Sequence, residues 1–207
     1  MNLLVPLLGY TAAAALLTLT PGVDTAMVLR SATAGGPRNG IATAAGICLG
    51  LLIWGMGAAS GLSLLLAASR TAFTVVKLCG ALYLLWLGVQ MLRAPKTAHA
   101  AESAAPAPAG IASAFRRGLA SNILNPKVGV FYITFLPQFI PSGVDVPLFS
   151  MLLTSINLGL DLLWFGAIIA LTVPLGAALA RPAVRRAMDR VTGCTLIGFG
   201  LRLGLTR

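Results

Sequence analysis

The sequence predicts an all-α integral membrane protein: six transmembrane helices forming two inverted three-helix repeats, with helices 1 and 4 broken at proline motifs. Three observations carry this reading. First, 57% of the 207 residues are hydrophobic and only 10% charged, with a mean hydropathy of +0.90. A soluble domain carries about 25% charged and about 45–50% apolar residues, so this chain lacks the polar side chains to cover a water-exposed surface. Second, its apolar residues fall into six segments, two of them interrupted near the middle by proline. Third, Lys and Arg concentrate in alternate connections between those segments.

Crossing a hydrocarbon core of about 30 Å takes roughly 20 apolar residues. The first segment runs from Leu3 to about Leu29 and is interrupted by Thr20-Pro21-Gly22-Val23-Asp24. Its start lacks the positive n-region of a signal peptide, so the run is expected to stay as a membrane segment. The second spans about Ile41 to Ala68 and the third about Ala72 to Leu92. The fourth, about Ser113 to Ile140, is interrupted at Asn125-Pro126-Lys127. The fifth runs from about Val146 to Leu179, with Pro174 near its end, and the sixth from about Val191 to Leu205, containing Arg202. The stretch 94–112, rich in Pro and Ala, reads as a flexible cytoplasmic linker. It separates a first three-helix repeat, 1–93, from a second, 113–207. His99, the one histidine, sits in it and reads as solvated.

The connection after segment one carries Arg30 and Arg38, and the one after segment three Arg93, Lys96, Arg116 and Arg117. The connection after segment five carries Arg181, Arg185, Arg186 and Arg190. The alternate connections hold only Arg70 and Lys77. The positive-inside rule then puts the odd-numbered loops in the cytoplasm and both termini outside. This topology also accounts for the net charge of +10; no basic stripe interleaves with aromatics, so nucleic acid is not a partner. Cys48, Cys79 and Cys194 each stand alone in an apolar stretch, and read as small buried hydrophobes rather than a disulfide or metal set.

Landmarks recur between the halves. Thr20-Pro21-Gly22-Val23 lies on Asn125-Pro126-Lys127-Val128, and the run from Gly46 to Leu51 on that from Ser155 to Leu160. Trp54 and Trp164 follow in each half, and Lys77-Leu78-Cys79-Gly80 resembles Arg190-Val191-Thr192-Gly193. Each unit has three spans, an odd number, so the second must enter the membrane with opposite polarity, as in several secondary transporters. Ala42, Gly46 and Gly50, and likewise Gly200 and Gly204, follow small-xxx-small spacing. Internal packing is the preferred reading of these stripes, with a homodimer the other.

The breaks hold the chemistry. Pro21 removes a backbone donor and Gly22 adds freedom, so the helix is interrupted at membrane depth. Backbone freed there needs protein or a watery cavity beside it, and the half-helix N-termini favour anions. Asn125 and Pro126 repeat the device. Asp24 sits inside an apolar span at a cost of at least about 2.5–3.5 kcal/mol, so it should face a cavity, pair with a cation or take up a proton. Lys127 is its candidate partner, and the plain alternative is a static ion pair locking the fold. Asp161 is the other intramembrane acid, with Asn157 one turn earlier on the same face. The substrate- and proton-binding set is therefore Pro21, Gly22, Asp24, Asn125, Pro126, Lys127, Asn157 and Asp161. The sequence has no phosphate-binding Gly loop ending in Lys-Ser or Lys-Thr, no His/Cys/carboxylate metal cluster and no Ser/His/Asp set. It is not read as an enzyme, and it calls for no cofactor or metal.

These residues resemble the LysE/RhtB family of bacterial amino-acid exporters along nearly the whole chain. The resemblance rests on Leu19-Thr20-Pro21-Gly22-Val23-Asp24, Gly36-Pro37-Arg38-Asn39-Gly40, Gly46 and Gly50, and the run from Gly80 to Gly88. Phe115-Arg116-Arg117-Gly118 and the run from Asn122 to Lys127 complete it. One departure is Val23, where the family often has a second proline. The resemblance implies a secondary transporter in the bacterial inner membrane that exports amino acids or close derivatives, coupled to protons. On that reading the substrate lies between the breaks. Asp24 meets its ammonium group or exchanges a proton, and half-helix N-termini or Lys127 hold its carboxylate. A divalent-cation exporter of related architecture is the alternative, and a thiol redox carrier a more distant one.

Overall fold

The computed structural model describes residues 3–20, 22–68, 70–93, 110–141 and 143–171, together with positions 183, 186, 187, 190, 191, 193, 194, 197, 198, 200 and 201. Pro21, His99, Pro174, Arg202 and the linker up to residue 109 lie outside them. The described residues are helical with no strand: α1 (Leu4–Leu19), α2 (Val23–Ala68), α3 (Arg70–Arg93), α4 (Ile111–Ile123), α5 (Pro126–Val130) and α6 (Val146–Ala170). A π turn (Phe131–Phe135) and a 3-10 turn (Leu136–Phe139) extend α5. The described positions between 183 and 201 are also helical.

By length and composition alone two of these helices could cross a membrane, Val23–Gly61 with 39 residues and Val146–Ala170 with 25; Leu4–Leu19 is apolar but shorter. The first of these is not one rod. Gly36 takes φ +80°, the left-handed region, and Pro37 follows it. Ser31 Oγ then accepts a 2.8 Å hydrogen bond from Thr43 Oγ1 twelve positions on, where straight helix would separate them by about 18 Å. An added Cβ on Gly40 would sit 2.8 Å from that of Ala32. The chain therefore reverses at Gly36 with no intervening loop, and α2 consists of two antiparallel limbs, 23–35 and 37–68. Helix thus continues past Leu29, the expected end of the first segment, and Arg30 is helical.

Contacts between helices fix the directions of the passes. Thr18 meets Asp161 and Thr25 meets Trp164, while Val28 clusters with Ile168; α1 and limb 23–35 therefore run parallel to α6. Limb 37–68 runs parallel to α4, its Gly46 against Phe115 and Leu119 and its Gly50 against Asn122. It runs opposite to α6, with Gly55 against Thr154. The two broken passes are antiparallel: Gly9 meets Phe139, Leu17 meets Lys127, and Asp24 meets Ser121 and Asn122. In the remaining pair, Gly88 of α3 packs on Gly193 and Gly200 packs on Ala81 and Leu85, again antiparallel.

The two ends of the bundle close differently. At the end holding Gly36 and the start of α4, backbones touch: an added Cβ on Gly46 would strike the Phe115 carbonyl, and one on Gly118 the Thr43 carbonyl. At the other end, Tyr10 packs on Phe131 and Phe139 at centroid distances of 5.8 and 5.7 Å. Phe135 bridges those two rings at 5.0 and 4.9 Å.

Several boundaries differ from the sequence reading. Arg70 and Lys77 belong to α3, not to a connection. The linker ends earlier than residue 112, because Gly110 caps α4 and helix starts at Ile111. In the fifth segment α6 ends at Ala170, and the expected stretch from 172 to Leu179 lies outside the described residues. Cys48 is buried as expected, but Cys79 and Cys194 lie on the exterior.

Candidate functional site

Each proline leaves a definable gap. In an α-helix the carbonyl of residue i accepts from the N–H of residue i+4, and proline has none. Pro21 therefore orphans the carbonyl of Leu17, and Pro126 that of Asn122. Helix stops at Leu19 and resumes at Val23 on one side, and stops at Ile123 and resumes at Pro126 on the other. Both orphaned carbonyls are satisfied from elsewhere. Lys127 Nζ donates to Leu17 O at 3.1 Å. Trp54 Nε1 donates to Asn122 O at 3.3 Å, and Asn125 N at 3.1 Å. Each break is thus capped partly by a side chain from a distant stretch of chain.

The Asp24 carboxylate is the hub. Its Oδ1 accepts from Ser121 Oγ at 2.9 Å, and its Oδ2 from Asn122 Nδ2 at 2.9 Å and Asn125 Nδ2 at 3.3 Å. Lys127, expected from sequence to partner it, bears on it as a nearby positive charge, donates to Leu17 O and has its ammonium beside Gly22, 3.8 Å from an ideal Cβ there. The N-terminus of α5 does not present free amides to a ligand: Asn125 Oδ1 accepts from Lys127 N, and Asn125 O from Val128 N and Gly129 N. The other half-helix start, that of limb 23–35, lies at Gly22, whose carbonyl accepts from Ala26 N at 3.0 Å.

On the facing wall, Thr18 Oγ1 donates to Asp161 Oδ1 at 2.7 Å and lies 3.4 Å from Asn157 Oδ1. Asn157 Nδ2 donates to Tyr132 Oη at 3.4 Å. A cavity of about 50 Å³ separates the two clusters, and Leu51, Val128, Phe131 and Phe165 form its apolar walls. Of the residues read from sequence, Gly22, Asp24, Asn125, Lys127, Asn157 and Asp161 line it. Pro126 is exposed on the outer side of its helix and acts only through its missing N–H. Pro21 lies outside the described residues. Sequence reasoning missed Thr18, Ser121 and Asn122, which hold the carboxylates, and Trp54 and Trp164. Counting four back from Pro126 would have found Asn122. Among the described residues no three His, Cys, Asp or Glu come together as a metal-binding group.

Lys127→Met would leave the Leu17 carbonyl without its side-chain donor at membrane depth. The expected cost is about 1–3 kcal/mol, read as a lower unfolding midpoint in detergent, with Lys127→Gln falling between the variant and wild type.

Among the described residues, two buried polar breaks therefore meet inside an apolar helical bundle. The chain matches the LysE type translocators over residues 15–207, and it belongs to that family. It is 32% identical to an uncharacterized membrane protein, YrhP, of Bacillus subtilis, covering 97% of this chain and 99% of that one. A leucine efflux protein of Klebsiella pneumoniae is 29% identical, covering 95% of this chain and 93% of its own length. An uncharacterized membrane protein of Vibrio cholerae is 30% identical over 97% of each chain. No solved structure matches.

Proposed function

We propose that this protein exports amino acids across the bacterial inner membrane by proton antiport, and that residues 1–93 and 113–207 act as inverted repeats around the chamber. The observation that carries the proposal is the meeting of two helix breaks, about a hundred residues apart in sequence and running in opposite directions, around Asp24. Further support comes from the tryptophans: Trp54 of the first half reaches the second break, and Trp164 of the second half reaches Thr25 beside the first. Positive-inside topology makes the end carrying Arg30, Arg38, Arg116 and Arg117 cytoplasmic and the aromatic end external.

The chamber suits a zwitterion. Lys127 and the limb start at Gly22 offer a site for the α-carboxylate, Asp24 one for the ammonium group. Leu51, Val128, Phe131 and Phe165 offer apolar walls for a side chain of the kind carried by leucine, the substrate named for the Klebsiella relative. Ligand pockets usually measure about 300–1,000 Å³, so at about 50 Å³ the chamber in this form is too small for an amino acid. Relative motion of the halves must widen it.

The test is transport in vesicles containing the purified full chain. Labelled leucine is expected to exchange across the membrane and to move against its gradient when an opposing pH difference is imposed. Failure of leucine and of a panel of other amino acids, with uptake of divalent cations instead, would overturn the reading in favour of metal export.

A further inference from the structure

We propose that the two buried carboxylates have separate tasks: Asp161 carries the coupling proton, with Thr18 as its hydrogen-bond switch, and Asp24 binds the substrate. This assignment rests on the transport reading above and concerns what each carboxylate's partners can tolerate. A carboxylate only accepts hydrogen bonds, but once protonated it must also donate one. Asp24 is surrounded by the amide NH₂ groups of Asn122 and Asn125 and the hydroxyl of Ser121. Amide NH₂ groups donate and cannot accept, so a proton on Oδ2 would face donors. A proton on Oδ1 could pass its hydrogen bond to the Ser121 hydroxyl, but three donors converging on one carboxylate favour its ionised form, which is what a substrate ammonium needs.

Asp161 is held by fewer donors. Its Oδ1 is held by the Thr18 hydroxyl at 2.7 Å, which can donate or accept. When a proton binds Asp161 Oδ1, that O–H donates to Thr18 Oγ1, and the Thr18 hydrogen turns to Asn157 Oδ1, already 3.4 Å away. Asn157 is 2% exposed and remains tied to Tyr132. In both protonation states Asp161 therefore keeps its hydrogen bond to Thr18 by rotation of one hydroxyl. The proton gained from outside is the one released inside, so charge and atoms balance over the cycle.

The switch also acts on structure. Thr18 is in the last turn of α1, just before the first break, and Asp161 is on α6. A hydrogen bond to an ionised carboxylate is roughly twice as strong as a neutral one, so protonation loosens the tie between α1 and α6 while the ties on Asp24 persist. The other charged or titratable groups facing this chamber are Asp24, Lys127 and Tyr132. Tyr10 on α1 and Cys48 on limb 37–68 are buried on helices packed nearby.

The experiment compares leucine counterflow without a pH difference, pH-driven leucine efflux, and leucine-dependent proton movement followed with a trapped pH dye, all in vesicles. Asp161→Asn should slow pH-driven efflux about a hundredfold and abolish the dye signal, with a much smaller loss of counterflow, whereas Asp24→Asn should lose counterflow by about a hundredfold as well. Thr18→Val should slow pH-driven efflux about tenfold, and Thr18→Ser should restore it to within about twofold. A folded Asp161→Asn protein that still moves protons with leucine overturns the assignment, as does one that loses counterflow together with coupling. Should that variant fail to fold, equal pH-driven rates in Thr18→Val and Thr18→Ser overturn it. Wild-type vesicles that exchange no amino acid sink the transport reading itself, and the assignment with it.

Discussion

Asp24→Asn is expected to abolish amino-acid efflux from preloaded vesicles while the protein still inserts and unfolds at nearly the wild-type temperature. The fold tolerates this change because Asn is isosteric and its two faces match the site. Its Oδ1 can accept from Asn122 and Asn125, and its NH₂ can donate to the Ser121 hydroxyl, which also accepts. Only the charge is lost. A hydrogen bond to a charged group contributes about 1.5–3 kcal/mol, and the upper end corresponds to roughly a hundredfold in affinity. Counterflow should therefore fall by about that factor at fixed substrate concentration. Full activity in this variant would remove Asp24 from the mechanism. Asp24→Ala is the structural contrast: it leaves Asn122 and Asn125 without their acceptor and should lower stability too.

The second large effect is expected at Gly118. A Cβ added there would strike the Thr43 carbonyl, and the matching Cβ on Gly46 would strike that of Phe115. Backbone cannot rotate aside as a side chain can, so limb 37–68 and α4 would have to separate. Overpacking a well-packed core costs about 1–3 kcal/mol. Here the displaced helix also carries Ser121 and Asn122, so Gly118→Val should lose both stability and transport. Gly57 and Gly159 have nothing within 4 Å of an added Cβ. Gly57→Ala and Gly159→Ala should leave the unfolding midpoint unchanged or raise it, since Ala is favoured over Gly in helix by about 1 kcal/mol. Equal midpoints for Gly118→Val and the wild type would show that the two helices are not in backbone contact.

What could be read from sequence follows from which residues are costly in lipid. A carboxylate at Asp24 or Asp161 and a proline at position 21 or 126 are conspicuous in apolar segments, because each creates a polar demand that the segment cannot meet alone. Their partners were less legible. A Ser or Thr in a membrane helix can bond its own i−4 carbonyl and need nothing else. Thr11, Thr134 and Ser155 do this, whereas Thr18 and Ser121 reach across to carboxylates, and nothing local distinguishes the two groups. The reversal at Gly36 was also hidden: Gly-Pro signals a turn, but not one so tight that helix continues on either side. Arg30 and Arg38 mark that end because both flank the turn.

The π turn at Phe131–Phe135 has a mechanical consequence. A π turn closes its hydrogen bonds over one residue more than an α turn does, so this stretch stores one residue of slack directly beyond the second break. Drawing that residue into regular α pitch would wind the chain beyond it by about 100°, one residue's angular step. Phe139 would swing off Tyr10 and carry Phe135 with it, so the aromatic end of the bundle could unseal by a screw motion of a single short segment.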